Sequence, residues 1–174
     1  AVGSFIGSGS SNRTIVGEVD QTTVRFTGRL TYNLTPDLTI QYYGQPFITR
    51  PKYNHFAWVS NALTKDLDDR FTRFKPNQIS FNNGTYFVDE NGDGNTDYSF
   101  AKPDFNFVQF RSNLVVRWEY RPGSEFYLVW SQGNTSDAYD ELDTPIFSSL
   151  FNNAFSGSNN RNIFLLKFTY RFLR

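Results

Sequence analysis

One acidic segment, DENGDGNTD at residues 89–97, carries an oxygen-bearing side chain at every second position. These residues are Asp89, Asn91, Asp93, Asn95 and Asp97. Calcium loops of the EF-hand type use this ligand spacing and need a glycine at the sixth position, where Gly94 stands. The twelfth position is Phe100 where an EF-hand has glutamate, so ligation would also need Asp104, another loop or water. We expect structural Ca²⁺ of modest affinity, with a plain turn cluster as the alternative; Mg²⁺ fits less well because it requires a stricter octahedron.

Groups suited to catalysis are few. The single histidine, His55, has no serine or carboxylate partner close to it in the sequence, and there is no cysteine. No nucleophile elbow, phosphate-binding loop or zinc-ligand spacing occurs. The acidic pairs Asp68/Asp69 and Asp140/Glu141 lie in polar segments and are interpreted as solvated. We therefore predict no active site within these residues.

The composition combines many aromatic residues with a polar average. The 174 residues include 19 Phe, 10 Tyr and 3 Trp, yet the mean hydropathy is −0.50. The 17 basic and 17 acidic residues cancel, so the charge indicates no nucleic-acid partner. Without a run of ~18 apolar residues the chain cannot form a transmembrane helix, but membrane-spanning strands need no such run.

The aromatic residues fall in segments that alternate between apolar and polar positions. The two clearest alternating segments flank the turn at 121–124. Their apolar positions are Leu114, Val116, Trp118 and Tyr120 before the turn and Phe126, Leu128 and Trp130 after it. In all, alternation predicts five long strands, at 22–34, 38–45 with an irregular continuation to 59, 105–120, 125–132 and 162–174.

The links between these strands are alternately short and long. Residues 35–37 and 121–124 are short turns, whereas 60–104 and 133–160 are long loops, the second with a short helix near 148–155. Residues 1–21 are expected to be a loop. Outer-membrane barrels have this asymmetry, with short periplasmic turns and long extracellular loops.

We therefore predict an all-β fold, an antiparallel up-and-down transmembrane β-barrel segment with two long extracellular loops. The alternative is a soluble β-sandwich or lipocalin-like barrel whose apolar face lines an interior, because antiparallel sheets in water also alternate. Strand length favours lipid, since 105–120 exceeds the usual globular strand of about 5–6 residues.

Aromatic placement also favours lipid. The apolar faces carry large rings beside the short turns, as in the aromatic girdle at a membrane interface. The predicted interfacial residues are Tyr32, Trp118, Tyr120, Phe126, Tyr170 and Phe172. The opposite, lumen-facing side carries charges, namely Arg25, Arg29, Arg111, Arg117, Glu119, Lys167 and Arg171. These charges would either attract anionic solutes or an acidic plug, or pair with acids on the unseen strands of the barrel, and pairing is the favoured interpretation.

Five strands cannot close a membrane barrel, since the smallest has about 8. We expect residues 1–174 to form one C-terminal barrel segment that pairs with upstream strands of the same protein. The chain would then lie in a bacterial outer membrane, in contact with lipid and lipopolysaccharide, with its C-terminus on the periplasmic side.

A resemblance supports this location. The segments FVDENGDGNTDYSF (87–100) and PDFNFVQFRSNLVVRWEYRPGSEFYLVWSQG (103–133) resemble the C-terminal region of a family of large Bacteroidota proteins. Members carry an N-terminal domain similar to family-nine carbohydrate-binding modules and a barrel domain of unknown function. The resemblance implies an outer-membrane location and a sugar-binding-like domain upstream, and it implies no established activity.

The predicted function is the C-terminal wall of an outer-membrane barrel that serves in transport, surface binding or scaffolding of an outer-membrane complex, whose other subunits are candidate partners. Two alternatives remain. One is a secreted soluble β-domain that binds glycans through exposed aromatics such as Tyr86, Tyr98 and Tyr139. The other is the non-catalytic part of a surface hydrolase.

Overall fold

The structure is a computed structural model that describes residues 2–6, 12–137, 142–156 and 159–172. It is mostly antiparallel β, with one curled sheet like half of a barrel and little helix. The prediction of an antiparallel all-β fold is confirmed at this level. Among the described residues, no helix is long and apolar enough to cross a bilayer.

The chain divides into two compact units. The first comprises Ala1–Gln21 and Pro51–Asp104, and the second comprises Thr22–Arg50 and Phe105–Arg174. Strands β2 and β4 are long enough to contribute residues to both units, and each unit is described separately below.

The first unit combines short strands with parts of two long ones. Its elements are β1 (Gly3–Ile6), the start of β2 (Asn12–Arg25), the end of β4 (Leu38–Val59), a 3-10 turn (Asp68–Arg70), β5 (Phe71–Arg73), β6 (Ile79–Asn82), β7 (Thr85–Val88) and β8 (Tyr98–Ala101). β1 pairs with β2, β5 pairs with β4, and β6, β7 and β8 form a separate antiparallel sheet. The buried core is Ile15, Phe56, Val88, Tyr98 and Phe100.

The prediction that 1–21 and 60–104 are loops is wrong, because both ranges contain strands. Strands β5 to β8 have only three or four residues each, which is too short for a period of two to be recognised. One usable signal was present. Asn83 and Gly84 join β6 to β7 with φ of 46° and 78°, and an Asn-Gly pair between short apolar runs is a strong hairpin signal.

The second unit contains the long strands. Its elements are the end of β2, β3 (Gly28–Thr35), the start of β4, β9 (Phe107–Arg121), β10 (Ser124–Asp137), α1 (Ile146–Ser156) and β11 (Arg161–Phe168). The order β3-β4-β9-β10-β11 is antiparallel throughout. All five regions of predicted long strand are therefore strands, and the short helix predicted near 148–155 is confirmed.

The strand limits differ from the prediction in three places. The expected strand 22–34 is interrupted at residues 26–27, opposite Pro46 of β4. Pro46 has no N–H, so it cannot donate a hydrogen bond to the strand beside it, and the ladder is interrupted there. Its carbonyl still accepts a hydrogen bond from the Phe26 amide at 3.1 Å. β10 continues to Asp137, so the loop predicted at 133–160 begins later. β11 ends at Phe168, although Thr169 still exchanges two backbone hydrogen bonds with Glu125.

Helix α1 packs against the sheet of the second unit. Leu150 and Ala154 of the helix are buried against Ile48, Val108 and Phe110. The Nδ2 atom of Asn134 donates to the Asn153 and Ala154 carbonyls at 3.2 and 2.9 Å, so it satisfies carbonyl groups in the last turns of the helix. Packing of an apolar stripe holds this short helix in place, since isolated helices of this length are marginal in water.

Candidate functional site

The register of the second unit aligns the even-numbered apolar side chains of five neighbouring strands on one side of the sheet, here called the even face. Opposed residues form three rows, Leu30–Tyr42–Leu114–Trp130–Phe164, Tyr32–Ile40–Val116–Leu128–Leu166 and Leu38–Trp118–Phe126–Phe168. A slip of one residue in a strand would break every row that the strand enters, because successive side chains point to opposite sides. The alternation read from each strand therefore combines into one continuous apolar surface.

Much of the even face is open. Leu30, Phe164 and Leu166 are 63%, 66% and 66% exposed, and Trp118 and Tyr32 are about half exposed. Burying one large apolar side chain is worth about 1.5–3 kcal/mol, so an uncovered face of this size forfeits a large stabilisation in water. Contiguous apolar surfaces of this kind mark contacts with a partner or a membrane.

The short-turn end of the even face is rich in aromatic rings. Trp118 and Tyr120 lie 6.0 Å apart edge to face, and Tyr120 stacks on Phe168 at 5.4 Å. The Tyr120 hydroxyl donates to the Thr169 carbonyl at 3.1 Å, so its polar end is satisfied while the ring stays on the apolar surface. Phe126 stands directly opposite Trp118.

The structure thus brings three of the six predicted interfacial residues together, namely Trp118, Tyr120 and Phe126. Tyr32 lies in the next row, on β3. Tyr170 and Phe172 follow the end of β11 and contact each other, with ring centroids 4.7 Å apart.

The apolar rows end at a fourth row of different character, Gly28–Gly44–Ser112–Gln132–Asn162. On β10 and β11 this row is polar, and the Trp130 indole donates to the Asn162 side-chain oxygen at 2.9 Å. Tryptophan with its ring on an apolar surface and its N–H on a polar group is typical of a membrane interface. The apolar band therefore has an amphipathic ring at each end.

The opposite side of the sheet, here called the odd face, carries the predicted charges. Arg29, Arg111, Arg117, Glu119 and Lys167 all occupy odd-numbered ladder positions. Arg25 is exposed in β2, and Arg171 follows β11, where its backbone amide donates to the Ser124 hydroxyl at 3.0 Å.

Several of these charges already have partners within the unit. The Arg117 Nε donates to Glu125 Oε1 at 3.0 Å, and Glu119 Oε1 accepts from the Gly123 amide at 2.8 Å. The Lys167 ammonium lies 5.8 Å from the Tyr127 ring centre, within cation–π range. Pairing between neighbouring strands thus accounts for part of the charge on the odd face. Glu125 pairs with Arg117 across a diagonal of the hairpin, since the residue directly opposite Arg117 is Tyr127.

The acidic loop of the first unit is organised by its own backbone. Asp89 accepts from the amides of Gly92, Asp93 and Gly94 at 2.7, 3.2 and 2.8 Å. Asp97 accepts from the Glu90 amide at 2.8 Å. The Asn95 backbone amide, which donates to Asp93 at 2.8 Å, holds the pKa of Asp93 below its usual value.

Residues outside the loop are engaged elsewhere. Asp104, the extra ligand considered for calcium, accepts from the Tyr53 amide at 2.7 Å and lies 3.2 Å from the Lys102 ammonium. Within the described ranges, no three His, Cys, Asp or Glu side chains form a group that could hold a metal. Calcium loops also use amide and carbonyl oxygens, so calcium at this loop stays a prediction.

His55 has contacts that the sequence did not indicate. It stands at a φ of 47° in β4, and its Nδ1 lies 3.0 Å from Glu18 Oε2. Arg73 binds the other oxygen of the same carboxylate. The three side chains are more than half exposed and line a surface depression of about 320 Å³. An exposed ion-paired cluster of this type contributes little to stability.

The aromatic residues suggested for glycan binding are not equally available. Tyr98 is only 8% exposed and its ring stacks on Phe5 at 5.4 Å, so its assignment as an exposed binder is wrong. Tyr86 is half-buried and stacks on Phe100 at 5.3 Å. Tyr139, like the Asp140/Glu141 pair, lies outside the described residues.

Comparisons of this chain with protein-family models, with curated proteins and with solved structures found no match.

Proposed function

We propose that the second unit forms part of the lipid-facing wall of a β-barrel in a bacterial outer membrane. The observation that carries this proposal is the even face, where the register joins apolar side chains from five neighbouring strands into rows that remain open. Lipid is the environment in which such a face is stable without a protein partner, because hydrocarbon covers it as a core would.

The dimensions of the apolar band support a bilayer over a protein core. On β9 the band extends from Tyr120 to Ser112, which is close to the ~9–11 residues that a tilted strand needs to span the hydrocarbon. Trp118 with Tyr120 at one boundary and Trp130 at the other correspond to the two aromatic girdles of a membrane barrel. A soluble core gives no reason to place amphipathic rings at two separate levels.

A wall in lipid also requires further strands. β11 is paired with β10, and its other edge has no strand partner among the residues described here. Each unpaired backbone group in hydrocarbon costs several kcal/mol, so the sheet must continue into neighbouring strands. We propose that upstream strands of the same protein supply them. Other subunits of an outer-membrane complex are the alternative source.

The turns suggest an orientation. The links at Pro36–Asp37 and Pro122–Gly123 are two residues long, as periplasmic turns are, and the end of β11 lies at that same end of the sheet. The odd face would then line the lumen, and its partly paired charges would serve in transport, surface binding or scaffolding. The sugar-binding-like upstream domain stays a prediction from the resemblance to the Bacteroidota family.

Fractionation of the native protein tests the proposal. Cell envelopes are washed with alkaline carbonate, extracted with mild detergent and analysed by gel migration with and without heating. We expect the protein in the detergent extract, with the heat-dependent migration of a stable barrel. Recovery in the soluble fraction as a monomer would contradict the proposal and make the soluble glycan-binding alternative the leading one.

A further inference from the structure

Helix α1 lies on the same side of the sheet as the apolar rows. It packs on Val108 and Phe110 of β9 and is bonded by Asn134 of β10, all even-numbered positions, and no register shift separates them from Trp118 or Trp130. A helix inside a barrel would lie on the odd face. If the even face meets lipid, α1 therefore lies on the outer surface of the wall.

The sequence of α1 suits that position. Ile146, Leu150 and Ala154 pack on the sheet, whereas the adjacent stripe Phe147, Phe151 and Phe155 is 52–60% exposed. The helix, IFSSLFNNAFS, has no charged residue. An exposed stripe of three phenylalanines beside an apolar sheet is a surface for hydrocarbon and offers nothing to a charged ligand.

Between α1 and the strands runs a groove of about 380 Å³, a size found among small-molecule sites of ~300–1,000 Å³. All of its lining belongs to the second unit. Gly28 and Gly44, opposed on β3 and β4, form the floor, and a Cβ atom built on Gly28 would meet only the Gly44 carbonyl at 3.9 Å. Phe151 and Phe155 form one wall, and Phe155 contacts Phe110 at 4.9 Å between ring centres.

The residues of the floor show where the groove lies along the strands. Gly28 and Gly44 belong to the fourth row, with Ser112 and Asn162, where the apolar band ends. The aromatic cluster around Tyr120 marks the other boundary. On β3 and β4 the row lacks side chains, so the apolar surface continues there into the groove.

We infer that this groove binds one acyl chain of a membrane lipid at the boundary away from the short turns. The inference rests on the proposed function and adds a specific lipid site to a general lipid-facing wall. At Gly28 the floor carries no side chain, so a hydrocarbon chain can approach the backbone there. The Tyr42 ring lies over Gly44, and the phenylalanines of α1 cover the flank of the groove. Hydrocarbon suits this lining because Tyr42 alone contributes a polar side-chain atom to it.

A photo-crosslinking experiment tests this site in the full-length protein. The protein is reconstituted in vesicles of phosphatidylethanolamine and phosphatidylglycerol that contain phosphatidylethanolamine with a diazirine on one acyl chain. After illumination, adducts are located by peptide mass spectrometry. We expect adducts on Phe151 and Phe155 in the groove and, independently, on Leu166 of the open apolar rows.

A variant whose side chain fills the groove tests whether the acyl chain binds there. Gly28→Leu should lower the adduct yield on Phe151 and Phe155 about tenfold or more, because its side chain takes the volume of the acyl chain, and should leave the Leu166 adducts unchanged. Gly133→Leu is the matched control. Gly133 lies on the odd face, and a Cβ atom there would meet nothing within 4 Å. If Gly28→Leu fails to assemble, Gly28→Val makes the same test with a smaller side chain.

The outcomes separate the two proposals. Adducts on Leu166 without adducts in the groove, or groove adducts that persist in Gly28→Leu, would overturn the acyl-chain site and leave the wall intact. Crosslinks from the groove residues to a second copy of the protein would also overturn the site. Absence of adducts from the entire even face would overturn both proposals.

Discussion

Trp130 of β10 and Phe164 of β11 stand opposite each other on the even face, with ring planes within 6° and centroids 5.9 Å apart. The same Trp130 bonds Asn162, one step along the strand face, through its indole N–H. The Trp130 ring thus packs on Phe164 and its N–H binds Asn162, and these two residues are neighbours on the same side of β11. A strand that meets lipid on one side must make this transition at its interface.

The two faces of β11 should respond differently to the same charge. Leu165 and Leu166 are neighbours, both more than half exposed, on the odd and even faces respectively. In lipid vesicles, Leu166→Arg should lower the free energy of unfolding by about 2–4 kcal/mol, because a charge is driven into hydrocarbon. Urea unfolding followed by tryptophan fluorescence measures the change. Leu165→Arg, the matched control, should change it by less than about 1 kcal/mol, and equal losses in the two variants would count against a lipid-facing side.

The β9–β10 turn should depend on a glycine. Gly123 has a φ of 76°, and a Cβ atom there would come within 2.6 Å of the Arg171 Cδ. Gly123→Ala should destabilise the unit by about 1–2 kcal/mol, since a left-handed conformation is costly for any residue with a Cβ. The same urea titration reports it. Gly133→Ala has open space at an ordinary strand conformation and serves as the control; a similar loss there would mean that the turn is not the cause.

The phenols of buried Tyr98 and half-buried Tyr86 should make the first unit sensitive to alkali. Burial raises the pKa of Tyr98, with Glu90 adding to the effect, and burial also raises the pKa of Tyr86, with Asp104 adding to it. Above pH 10, the two tyrosines therefore stay protonated in the folded state when they have lost their protons in the unfolded state. Stability is complete below the ordinary phenol pKa of about 10 and falls as the pH rises above it.

This dependence can be removed by substitution. Among the described residues, the Tyr98 hydroxyl has no hydrogen-bond partner. Tyr98→Phe should therefore preserve or improve stability at pH 7, because it removes an unsatisfied buried group, and should flatten the loss between pH 10 and higher values. Adding Tyr86→Phe should flatten it further. Thermal unfolding at a series of pH values tests both, and an unchanged alkaline slope in the double variant would contradict the assignment.

The acidic loop should respond to calcium. If the affinity is that of extracellular calcium modules, about 10⁻⁴–10⁻³ M, calcium at about 5 mM should stabilise the first unit by about 1–2 kcal/mol. Mg²⁺ at the same concentration is the control and should have a smaller effect. Asp93→Ala should abolish the calcium response, because it removes a ligand at the third odd position of the loop. Identical melting temperatures in calcium and in chelator would exclude this site.

Period-two alternation was sufficient to locate β4, β9, β10 and β11. Each of these strands has eight or more residues, and its two sides differ in polarity over that length. The alternation also implied the even face, since a hairpin register follows from its turn. The interruption at residues 26–27 was not foreseen. It depends on Pro46 in the partner strand, and a single strand's pattern holds no information about its neighbour.

The first unit was missed for a different reason. Its strands β5 to β8 are too short to show a period, and its core residues Ile15, Phe56 and Val88 are far apart in the sequence. The sequence pattern also could not predict that α1 lies on the even face. A short helix near 148–155 was predicted, but the face of the sheet that it covers is decided by Asn134 and Phe110, which tertiary packing brings to it.

Contact between lipid and the even face of the second unit can be measured directly. The chain has no cysteine, so single cysteines carrying a nitroxide can be placed at each position of 161–168 and their collision rates measured with oxygen and with a water-soluble nickel chelate. In the assembled native protein, 164, 166 and 168 should be accessible to oxygen, and 163, 165 and 167 to nickel. Loss of this alternation, or preferential nickel access at the even positions, would contradict the account.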